Sequence, residues 1–359
     1  MKQEMALVSV VMPVYNSSQY LQEAIDSIRN QTYTNWELLI INEFGSEDGS
    51  REIVKLNAEK DPRIKLYQNE KRLGLAESLN LGMRISNGKY IARMDADDLS
   101  HSTRLEKQVR IMEADESIGI CGTYQHHFGP NIDWVHKPPV NPETCKANLL
   151  FDCDLCHSTL MLRKEVFLSN QLFYDSTYMA EDFELWSRAA SVTKITNIPE
   201  VLGEYRWGED NITQQKKKEL AKEHSVIVAK ALMRNLNIKV PETDYILLEG
   251  WHNPFRDEKN SKVRKQMFIR MQKLMEQIYE ANQSMKYYKN QDLLNIMASK
   301  WRSVKYHEPR NAERNVASLK EIFNPYYIPN VMLMWSMFRS SAPTMKNRIK
   351  KLIRYIMKR

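Results

Sequence analysis

The chain has 359 residues, of which 42% are apolar and 27% are charged, so it is long enough for one large or two modest hydrophobic cores. Its four cysteines are too few for a disulfide framework, and no apolar run approaches the roughly 20 residues of a membrane span, which argues against a disulfide-rich scaffold and an integral membrane protein. The net charge of +7 divides unequally: residues 1–212 carry 22 basic and 32 acidic side chains, a net of −10, whereas residues 213–359 carry 30 and 13, a net of +17.

The first 200 residues alternate apolar strands with amphipathic helices. Continuous apolar or β-branched runs predict strands at 7–14, 36–42, 64–68 and 89–94. Helical spacing of apolar residues predicts helices between them, over 19–31, from Ser50 to about Glu59, and over 75–86. This alternation predicts a parallel, doubly wound α/β sheet.

The predicted helices have apolar faces, and the predicted strands end in polar segments. The buried helical faces are expected to carry Leu21, Ile25 and Ile28 in the first helix and Leu75, Leu79 and Met83 in the third. In open α/β sheets, ligands bind at the carboxyl ends of the strands. That rule places three segments on one rim, namely Pro13–Asn16, Asn42–Ser46 and Asp95–Asp98.

An unusual acidic cluster follows the fourth strand. The apolar run Tyr90–Met94 ends at Asp95, Asp97 and Asp98, and three carboxylates beside a core need a cation or another partner. Alternate residues of an extended segment point the same way, so Asp95 and Asp97 could share one Mg²⁺ or Mn²⁺. An EF-hand calcium loop is disfavoured because its sixth position would be Ser100 instead of glycine. A solvated turn that caps the next helix is the alternative.

The order of several short segments resembles glycosyltransferase family 2. The segments "VSVVMPVYN", "SIRNQTYTNWELLIIN", "GSEDGS", "GLAESLNLGM" and "NGKYIARMDADDLS" follow one another with the family's spacing over about 200 residues. The later segments "HSTLMLRKEVF" (157–167), "AEDFELWSRAA" (180–190) and "LGEYRWGEDNIT" (202–213) resemble its acceptor-side segments. The resemblance implies the GT-A fold, a Rossmann-like, mostly parallel sheet flanked by helices, with a mainly helical C-terminal region added here.

The resemblance also implies a donor site for a nucleotide-diphospho-sugar, with uridine as the expected nucleoside. Pro13 and Tyr15, just after the first strand, would line the base. Asp95 and Asp97 form the family's D-x-D motif, with Asp98 beside them. They would reach the ribose and hold Mn²⁺ or Mg²⁺ against the donor diphosphate.

The pair Glu181 and Asp182 would supply the general base, and we assign that role to Asp182. It would remove a proton from the acceptor hydroxyl as the oxygen attacks the anomeric carbon. The bound metal would neutralise charge on the departing diphosphate, and one in-line displacement would invert the anomeric centre. The alternative for this segment is an ordinary helix start, where acidic residues are favoured.

Two positions depart from the family's pattern. An aspartate pair usually follows the second strand, whereas this chain has Glu43 and Phe44. Glu43 could still accept a hydrogen bond from a uracil N–H. A histidine often follows the "YR" of the last segment, and Gly208 stands there instead. The possible substitutes are His126, His127 and His157, and spacing does not select among them.

The segment "CDLCH" (153–157) matches the C-x-x-C-H pattern of covalent haem attachment. A c-type haem belongs to exported proteins, and no export signal is evident in "MKQEMALVSVVMP". A zinc site would need further ligands, and Cys145 is the nearest other thiol. We interpret Cys153 and Cys156 as small buried hydrophobic residues and His157 as the start of a strand.

The region from 213 onward has helical patterns and excess positive charge. One long pattern carries an apolar stripe of Met267, Met271, Leu274, Met275 and Ile278, which predicts a core-facing helix. The change in composition predicts a glycosyltransferase domain over 1–212 and a helical basic region over 213–359.

An apolar, Trp-containing segment (326–338) precedes a basic amphipathic end in which residues 343–359 hold seven Lys or Arg and no acid. This pattern predicts binding to a membrane surface through 326–359. Packing of the helix on the protein is the alternative, and nucleic-acid binding is not expected because no recognition motif is present.

Together these features predict a metal-dependent, inverting glycosyltransferase, cytoplasmic and peripheral at the inner face of the cell membrane. Its acceptor would be a growing, lipid-linked glycan of cell-surface polysaccharide synthesis. A non-catalytic nucleotide- or glycan-binding protein of the same fold is the main alternative, motivated by Glu43 and Phe44. A nucleotidyltransferase is a second alternative, but "PVYNSSQY" lacks the glycine-rich basic loop expected after its first strand.

Overall fold

The computed structural model describes residues 5–208, 215–249 and 254–306. The strands are β1 (Val8–Val14), β2 (Trp36–Asn42), β3 (Ile64–Gln68), β4 (Tyr90–Arg93), β5 (Leu99–Ser100), β6 (Ile118–Gly129), β7 (Ile132–His136), β8 (Met161–Arg163) and β9 (Lys194–Arg206). Within the described residues they form one sheet in the order β3-β2-β1-β4-β8-β6-β9-β5, with β7 paired to β6. Strands β1 to β4 are parallel, and β8 is antiparallel to both β4 and β6.

Helices cover and follow this sheet. They are α1 (Ser18–Arg29), α2 (Ser50–Lys60), α3 (Gly74–Ile85), α4 (Arg104–Ala114), α5 (Pro142–Asn148), α6 (Lys164–Ser169), α7 (Glu181–Ala189), α8 (Lys217–Leu236), α9 (Pro254–Asp257), α10 (Ser261–Met285) and α11 (Asn290–Tyr306). Two 3₁₀ helices span His157–Thr159 and Glu242–Leu248. The predicted α/β architecture is therefore confirmed, and the described residues after 213 are helical.

The predicted first four strands and three helices are confirmed within two residues at their ends. One buried position is wrong: Leu75 is 39% exposed, because Ala76 takes the inward position in the first turn of α3. Helix α3 packs very closely on the sheet, since a Cβ atom at Gly82 would lie 2.3 Å from Val11 Cγ1. Glycine at this position therefore allows α3 to approach β1.

The chain divides into two compact units. The first comprises Met1–His252 with Tyr287–Lys289, and the second comprises Asn253–Lys286 with Asn290–Arg359. In the first unit, Glu223 of α8 accepts hydrogen bonds from the backbone N–H groups of Met179 and Ala180 at 2.7 and 3.0 Å. The domain boundary at 212/213 was predicted from composition and charge, and it stays a prediction.

The second unit is built on α10 and α11. All five residues of the predicted apolar stripe of α10 are at most 6% exposed, which confirms a core-facing helix. Asn260 caps α10, because its side chain accepts hydrogen bonds from the backbone N–H groups of Lys262 and Val263.

No helix in the described ranges combines the length and the apolar character needed to cross a membrane. The predicted membrane-binding segment 326–359 lies outside the described residues.

Candidate active site

The ends of β1, β2 and β4 form the rim on which the sequence places the site. Val14 pairs with Asn42 and Val11 pairs with Arg93, so all three strands end on the same side. Backbone pairing continues one residue further, because Met94 N–H donates to Val11 O at 3.1 Å. The chain then leaves the sheet at Asp95.

Each of the three acids after β4 has a different environment. Asp95 is ion-paired with the guanidinium of Arg93, and its side chain is 25% exposed. Asp98 is buried, accepts the backbone N–H of Arg206 at 3.0 Å and accepts the hydroxyl of Ser158. The carboxylate of Asp97 is half-buried and accepts no hydrogen bond from another residue in the described part of the chain.

Arg206, the last residue of β9, contacts the turn formed by Asp95–Asp98. Its Nε donates to the carbonyl of Asp97 at 3.1 Å and its Nη2 donates to Glu23 at 2.8 Å. The guanidinium also lies over the ring of Tyr20, 4.1 Å from the centroid. The "YR" of the last family-like segment therefore fixes the backbone of the D-x-D turn.

Crowding of the acids changes their protonation. Burial and the charge of Asp95 raise the pKa of Asp97 to about 6. Burial and the charges of Asp95 and Asp97 raise the pKa of Asp98 well above its usual range. Clustered carboxylates with raised pKa values are typical of functional sites, because a bound cation would relieve their repulsion.

The donor set fits a hard divalent cation that shares its coordination with a ligand. Asp97 and Asp95 provide carboxylate oxygens, the ligand type preferred by Mg²⁺ and Mn²⁺. Across the described residues, no three His, Cys, Asp or Glu side chains are arranged to hold a metal by themselves. A metal at Asp97 and Asp95 would therefore take its other ligands from water or from donor phosphates.

The predicted base lies at the start of α7. Glu181 and Asp182 occupy the first turn, where the helix dipole favours negative charge. Asp182 has a side chain that is 29% exposed, whereas Glu181 is 8% exposed overall. Burial raises the pKa of Asp182, and burial together with the charge of Asp182 raises the pKa of Glu181 to about 8. The charge of Asp95 acts on both groups, so the structure brings the two acid clusters together.

Arg93 is the central cation of this site, and the sequence reasoning missed it. Its side chain is 5% exposed, and its charge lowers the pKa values of Asp97, Glu181 and Asp182. Its Nε is buried without a hydrogen-bond partner in the described residues. A buried guanidinium is stable only with nearby negative charge, so an arginine inside the apolar strand "YIARM" was the available signal.

The segment predicted as a strand from His157 onward begins instead as the 3₁₀ helix His157–Thr159, and β8 begins at Met161. The tight turn points consecutive side chains at different parts of the site. His157 Nδ1 lies 4.0 Å from Asp182 Oδ2, and Ser158 bonds Asp98. His157 Nε2 also lies 2.9 Å from the hydroxyl of Tyr174. Burial and the charge of Arg93 lower the pKa of His157, which keeps the ring neutral.

The other two candidate histidines lie elsewhere. His126 pairs with Asp133 at 2.8 Å, and His127 lies in a cluster of aromatic rings. The cysteines of "CDLCH" are free, and burial raises the pKa of both Cys153 and Cys156. Cys156 is buried and Cys153 is half-buried.

The predicted base-binding residues follow β1 and β2. Pro13 is half-buried, and Tyr15 is 42% exposed with the guanidinium of Arg72 5.0 Å above its ring. Glu43 is buried, and its carboxylate accepts the backbone N–H of Gly74 at 2.6 Å and that of Leu73 at 3.1 Å from each oxygen. Glu43 therefore caps α3, and its predicted contact with the nucleotide base stays a prediction.

Comparisons with known proteins agree with this geometry. A family model described as Glycosyl transferase family 2 matches residues 9–169. The putative glycosyltransferase EpsE of Bacillus subtilis is 34% identical over 247 residues, which cover 67% of this chain and 86% of the relative. An uncharacterised glycosyltransferase of Haemophilus influenzae is 34% identical over 215 residues, and the match spans 56% of this chain and 65% of that protein.

One relative has a specific name. The UDP-Glc:alpha-D-GlcNAc-diphosphoundecaprenol beta-1,3-glucosyltransferase WfgD of Escherichia coli is 30% identical over 226 residues, covering 62% of this chain and 85% of the relative.

Solved structures show the same fold at low sequence identity. TarS 1–349 of S. aureus in complex with UDP-GlcNAc has a TM-score of 0.56 and 14% identity, covering 83% of this chain and 92% of that chain. The mannosyltransferase PcManGT of Pyrobaculum calidifontis, in complex with GDP-Man and Mn²⁺, has a TM-score of 0.52 and 16% identity, covering 84% and 88%. The chain therefore belongs to glycosyltransferase family 2 and has the GT-A fold.

Proposed function

We propose that this protein transfers a sugar, with inversion, from a nucleotide-diphospho-sugar to a hydroxyl group of a lipid-linked glycan. UDP is the proposed nucleotide, because TarS binds UDP-GlcNAc and the name of WfgD specifies UDP-Glc and a diphosphoundecaprenol-linked acceptor. The observation that carries the proposal is the convergence of Asp95 and Asp97 with Glu181 and Asp182 around Arg93.

In the donor half, Asp97 and Asp95 would hold Mn²⁺ or Mg²⁺, with the buried Asp98 fixing the turn between Ser158 and Arg206. When bound, the metal supplies positive charge beside the donor diphosphate. Pro13 and Tyr15 lie beside the base in this proposal. Asp97 is the group whose oxygens are most available, because no other residue in the described part of the chain bonds them.

In the acceptor half, Asp182 accepts the proton of the attacking hydroxyl. Its carboxylate lies in the first turn of α7 and accepts the backbone N–H of Phe183 at 2.7 Å, which holds it at the site. Because burial raises the pKa values of Asp182 and Glu181, the ionised base becomes abundant at a higher pH than an exposed carboxylate would. The rate of transfer should therefore rise with pH on its acid limb.

A nucleotide-sugar panel with Mn²⁺ tests the proposal. We expect one donor to be consumed with release of UDP, EDTA to abolish the reaction, and Asp182→Asn to slow transfer at least 100-fold while UDP binding persists. If calorimetry shows that neither UDP nor GDP binds in the presence of Mn²⁺, the proposed function is wrong.

A second candidate is a non-catalytic binding protein of the same fold, which Glu43 and Phe44 favour because they replace the family's usual pair after β2. Such a protein would bind the nucleotide and give no turnover with any donor. Measured turnover that Asp182→Asn removes excludes it.

We also propose that the enzyme acts at a membrane surface. A lipid-linked acceptor made at the cytoplasmic leaflet would require the enzyme at that surface, and the basic segment 326–359 is the proposed contact. Removal of residues 326–359 should release the protein from vesicles that contain anionic lipid without changing its affinity for UDP.

A further inference from the structure

The helix that carries the proposed base has no capping side chain at its start. Helix α7 begins at Glu181, and the residue before it, Ala180, has no side-chain atom that can accept a hydrogen bond. The carboxylate of Asp182 accepts the backbone N–H of Phe183 at 2.7 Å, so it is bonded to the first turn of its own helix. The position of this carboxylate therefore depends on where the first turn of α7 lies.

A side chain of α8 supplies the missing acceptor. Oε2 of Glu223 accepts the backbone N–H groups of Met179 at 2.7 Å and of Ala180 at 3.0 Å. Hydrogen bonds to an ionised acceptor are stronger than those between neutral groups, and negative charge is favoured at the N-terminus of a helix. Glu223 is half-buried, which limits competition from water. Glu223 therefore caps α7 from a neighbouring helix.

Helix α8 contacts α7 at two further levels. The ring of His224 lies 4.8 Å from that of Phe183, the residue that follows the proposed base. Nearer the end of α7, Arg234 Nη2 donates to the carbonyl of Ser187 at 2.6 Å and to its hydroxyl at 2.9 Å. The two helices are thus joined before the base, directly after it, and again toward the end of α7.

The segment that leads into α7 is also held at its other end. Asn80 of α3 accepts the backbone N–H of Tyr174 at 2.8 Å and donates to the carbonyl of the same residue at 2.9 Å. Both Asn80 and Tyr174 are buried. Side chains from outside the segment 174–180 therefore fix both of its ends, and Glu223 is the anchor next to the base.

Glu223 acts through the position of α7. Within the described residues, its hydrogen bonds come from backbone N–H groups, so its effect on Asp182 is transmitted by the start of the helix. Helix α8 (Lys217–Leu236) lies beyond the residues 9–169 that the family model matches and after the predicted domain boundary at 212/213. The helical region of this chain thus supplies an anchor to the helix that carries the proposed base.

We propose that Glu223 is a positioning residue for sugar transfer, because it fixes the first turn of α7 and so places the Asp182 carboxylate against the acceptor hydroxyl. The inference rests on the proposed function, in which Asp182 is the base. A displacement of about 1 Å at a reacting group can lower a rate about 100-fold, so loss of this anchor should lower kcat. Donor binding, which the proposal places at the ends of β1 and β4, should not change.

Four variants separate positioning from general stabilisation. Glu223→Ala removes the acceptor, whereas Glu223→Gln keeps an oxygen that can accept the same N–H groups. Arg234→Met removes the hydrogen bonds to Ser187, so it weakens the same pair of helices away from the base. Glu219→Ala changes an exposed acid one turn earlier on α8. All rates are measured well below the melting temperature of each protein.

We expect the kcat of Glu223→Ala to be about 10- to 100-fold below that of the wild type, with the KM for the UDP-sugar and the affinity for UDP and Mn²⁺ within about twofold. Glu223→Gln should keep kcat within about threefold of the wild type. Arg234→Met and Glu219→Ala should keep the wild-type kcat, although Arg234→Met should melt at a lower temperature.

Hydrogen exchange in the resting protein gives a second measurement that needs no turnover. The amides of Met179 and Ala180 should exchange about tenfold faster in Glu223→Ala, because their acceptor is gone. They should exchange at the wild-type rate in Glu223→Gln and in Arg234→Met. Mass spectrometry of a peptide that covers residues 176–184 measures the difference.

The inference is overturned if Glu223→Ala keeps the wild-type kcat or the wild-type amide exchange, or if Glu223→Gln is as slow as Glu223→Ala. It is also overturned if Arg234→Met lowers kcat as much as Glu223→Ala does. Absence of turnover in the wild type would instead count against the proposed function. In that case hydrogen exchange still decides whether Glu223 holds the start of α7.

Discussion

Two groups of acids near the sheet have pKa values shifted in opposite directions. Glu37 on β2 accepts hydrogen bonds from Lys65, Ser9 and Asn87, and these outweigh burial and lower its pKa to about 2. Asp48, an exposed residue on the rim, accepts the backbone N–H groups that begin α1 and α2, and these bonds lower its pKa to about 2. In the second group, burial and repulsion between carboxylates raise the pKa values of Asp97, Asp98, Glu181 and Asp182.

The difference lies in where each carboxylate finds its partners. Acids of the first group are supplied with donors by the protein itself, so the folded state favours their charge. Acids of the second group share one buried cation, Arg93, which does not offset their burial and mutual repulsion, so the folded state disfavours their charge. The first group stabilises the fold, and we propose that a metal, a donor diphosphate and an acceptor hydroxyl interact with the second.

The largest expected effect is on activity at Asp97. Asp97→Asn keeps the side chain's size but removes the charge that would hold a metal, so we expect kcat to fall at least 1000-fold. The melting temperature should stay the same or rise, because one member of a repelling cluster is gone. Initial rates of UDP release and thermal melts measure the two effects.

Asp115→Asn is the control for Asp97, since Asp115 lies at the end of α4 and its side chain is 44% exposed. This variant should keep full activity. Equal activity of Asp97→Asn and the wild type would place Asp97 among the structural acids and contradict the comparison.

The next largest effect is expected on substitution of Arg93, the cation that these acids share. Arg93→Met removes the charge while keeping a long side chain, so Asp95 loses its ion-pair partner. We expect a loss of 10- to 100-fold in kcat/KM and a decrease of about 3 kcal/mol in the free energy of unfolding, because buried acids lose compensation. Arg93→Lys should recover part of both. A Met variant with wild-type stability and rate would show that Arg93 does not hold the cluster.

The sequence predicted the parts of the site that depend on local pattern. Strand–helix alternation gave β1 to β4, and the D-x-D and Glu-Asp motifs gave two acid clusters, both of which the structure places within reach of the charge of Arg93. Arg93 was missed because one charged residue in an apolar strand says nothing about which distant acids surround it. The 3₁₀ turn at His157 was missed because the same short apolar run fits a strand, and only pairing in the sheet decides where β8 begins.

Substitution of a structural acid should have the opposite effects from Asp97→Asn, namely a loss of stability and no loss of activity. Glu37→Gln should lower the free energy of unfolding by about 2 to 3 kcal/mol at pH 7 and leave kcat unchanged. A lowered pKa in the folded state means that the ionised group stabilises the protein above about pH 4.5 and that this stabilisation is lost as pH falls toward 2. The difference between Glu37→Gln and the wild type should therefore shrink over that range, as measured by urea denaturation. A difference independent of pH would contradict the assignment.

The smallest expected effect is that of substituting Glu43. It shows whether Glu43 is a structural acid or one that contacts the nucleotide. Its carboxylate accepts the N–H groups of Leu73 and Gly74, so Glu43→Gln should place an amide where an acceptor is needed and cost about 1 to 2 kcal/mol of stability. The KM for the UDP-sugar should change by less than about threefold. Glu43→Asp should be destabilised as well, because the shorter side chain cannot reach both N–H groups.

A direct contact between Glu43 and the base would give the reverse pattern. Glu43→Gln would then raise the donor KM more than tenfold, since a uracil N–H would lose its charged acceptor, while Glu43→Asp would keep donor binding. Phe44→Ala is the control, because Phe44 is 54% exposed beside Glu43. Measurements of stability and donor KM on these three variants distinguish two roles for Glu43, capping α3 or contacting the nucleotide base.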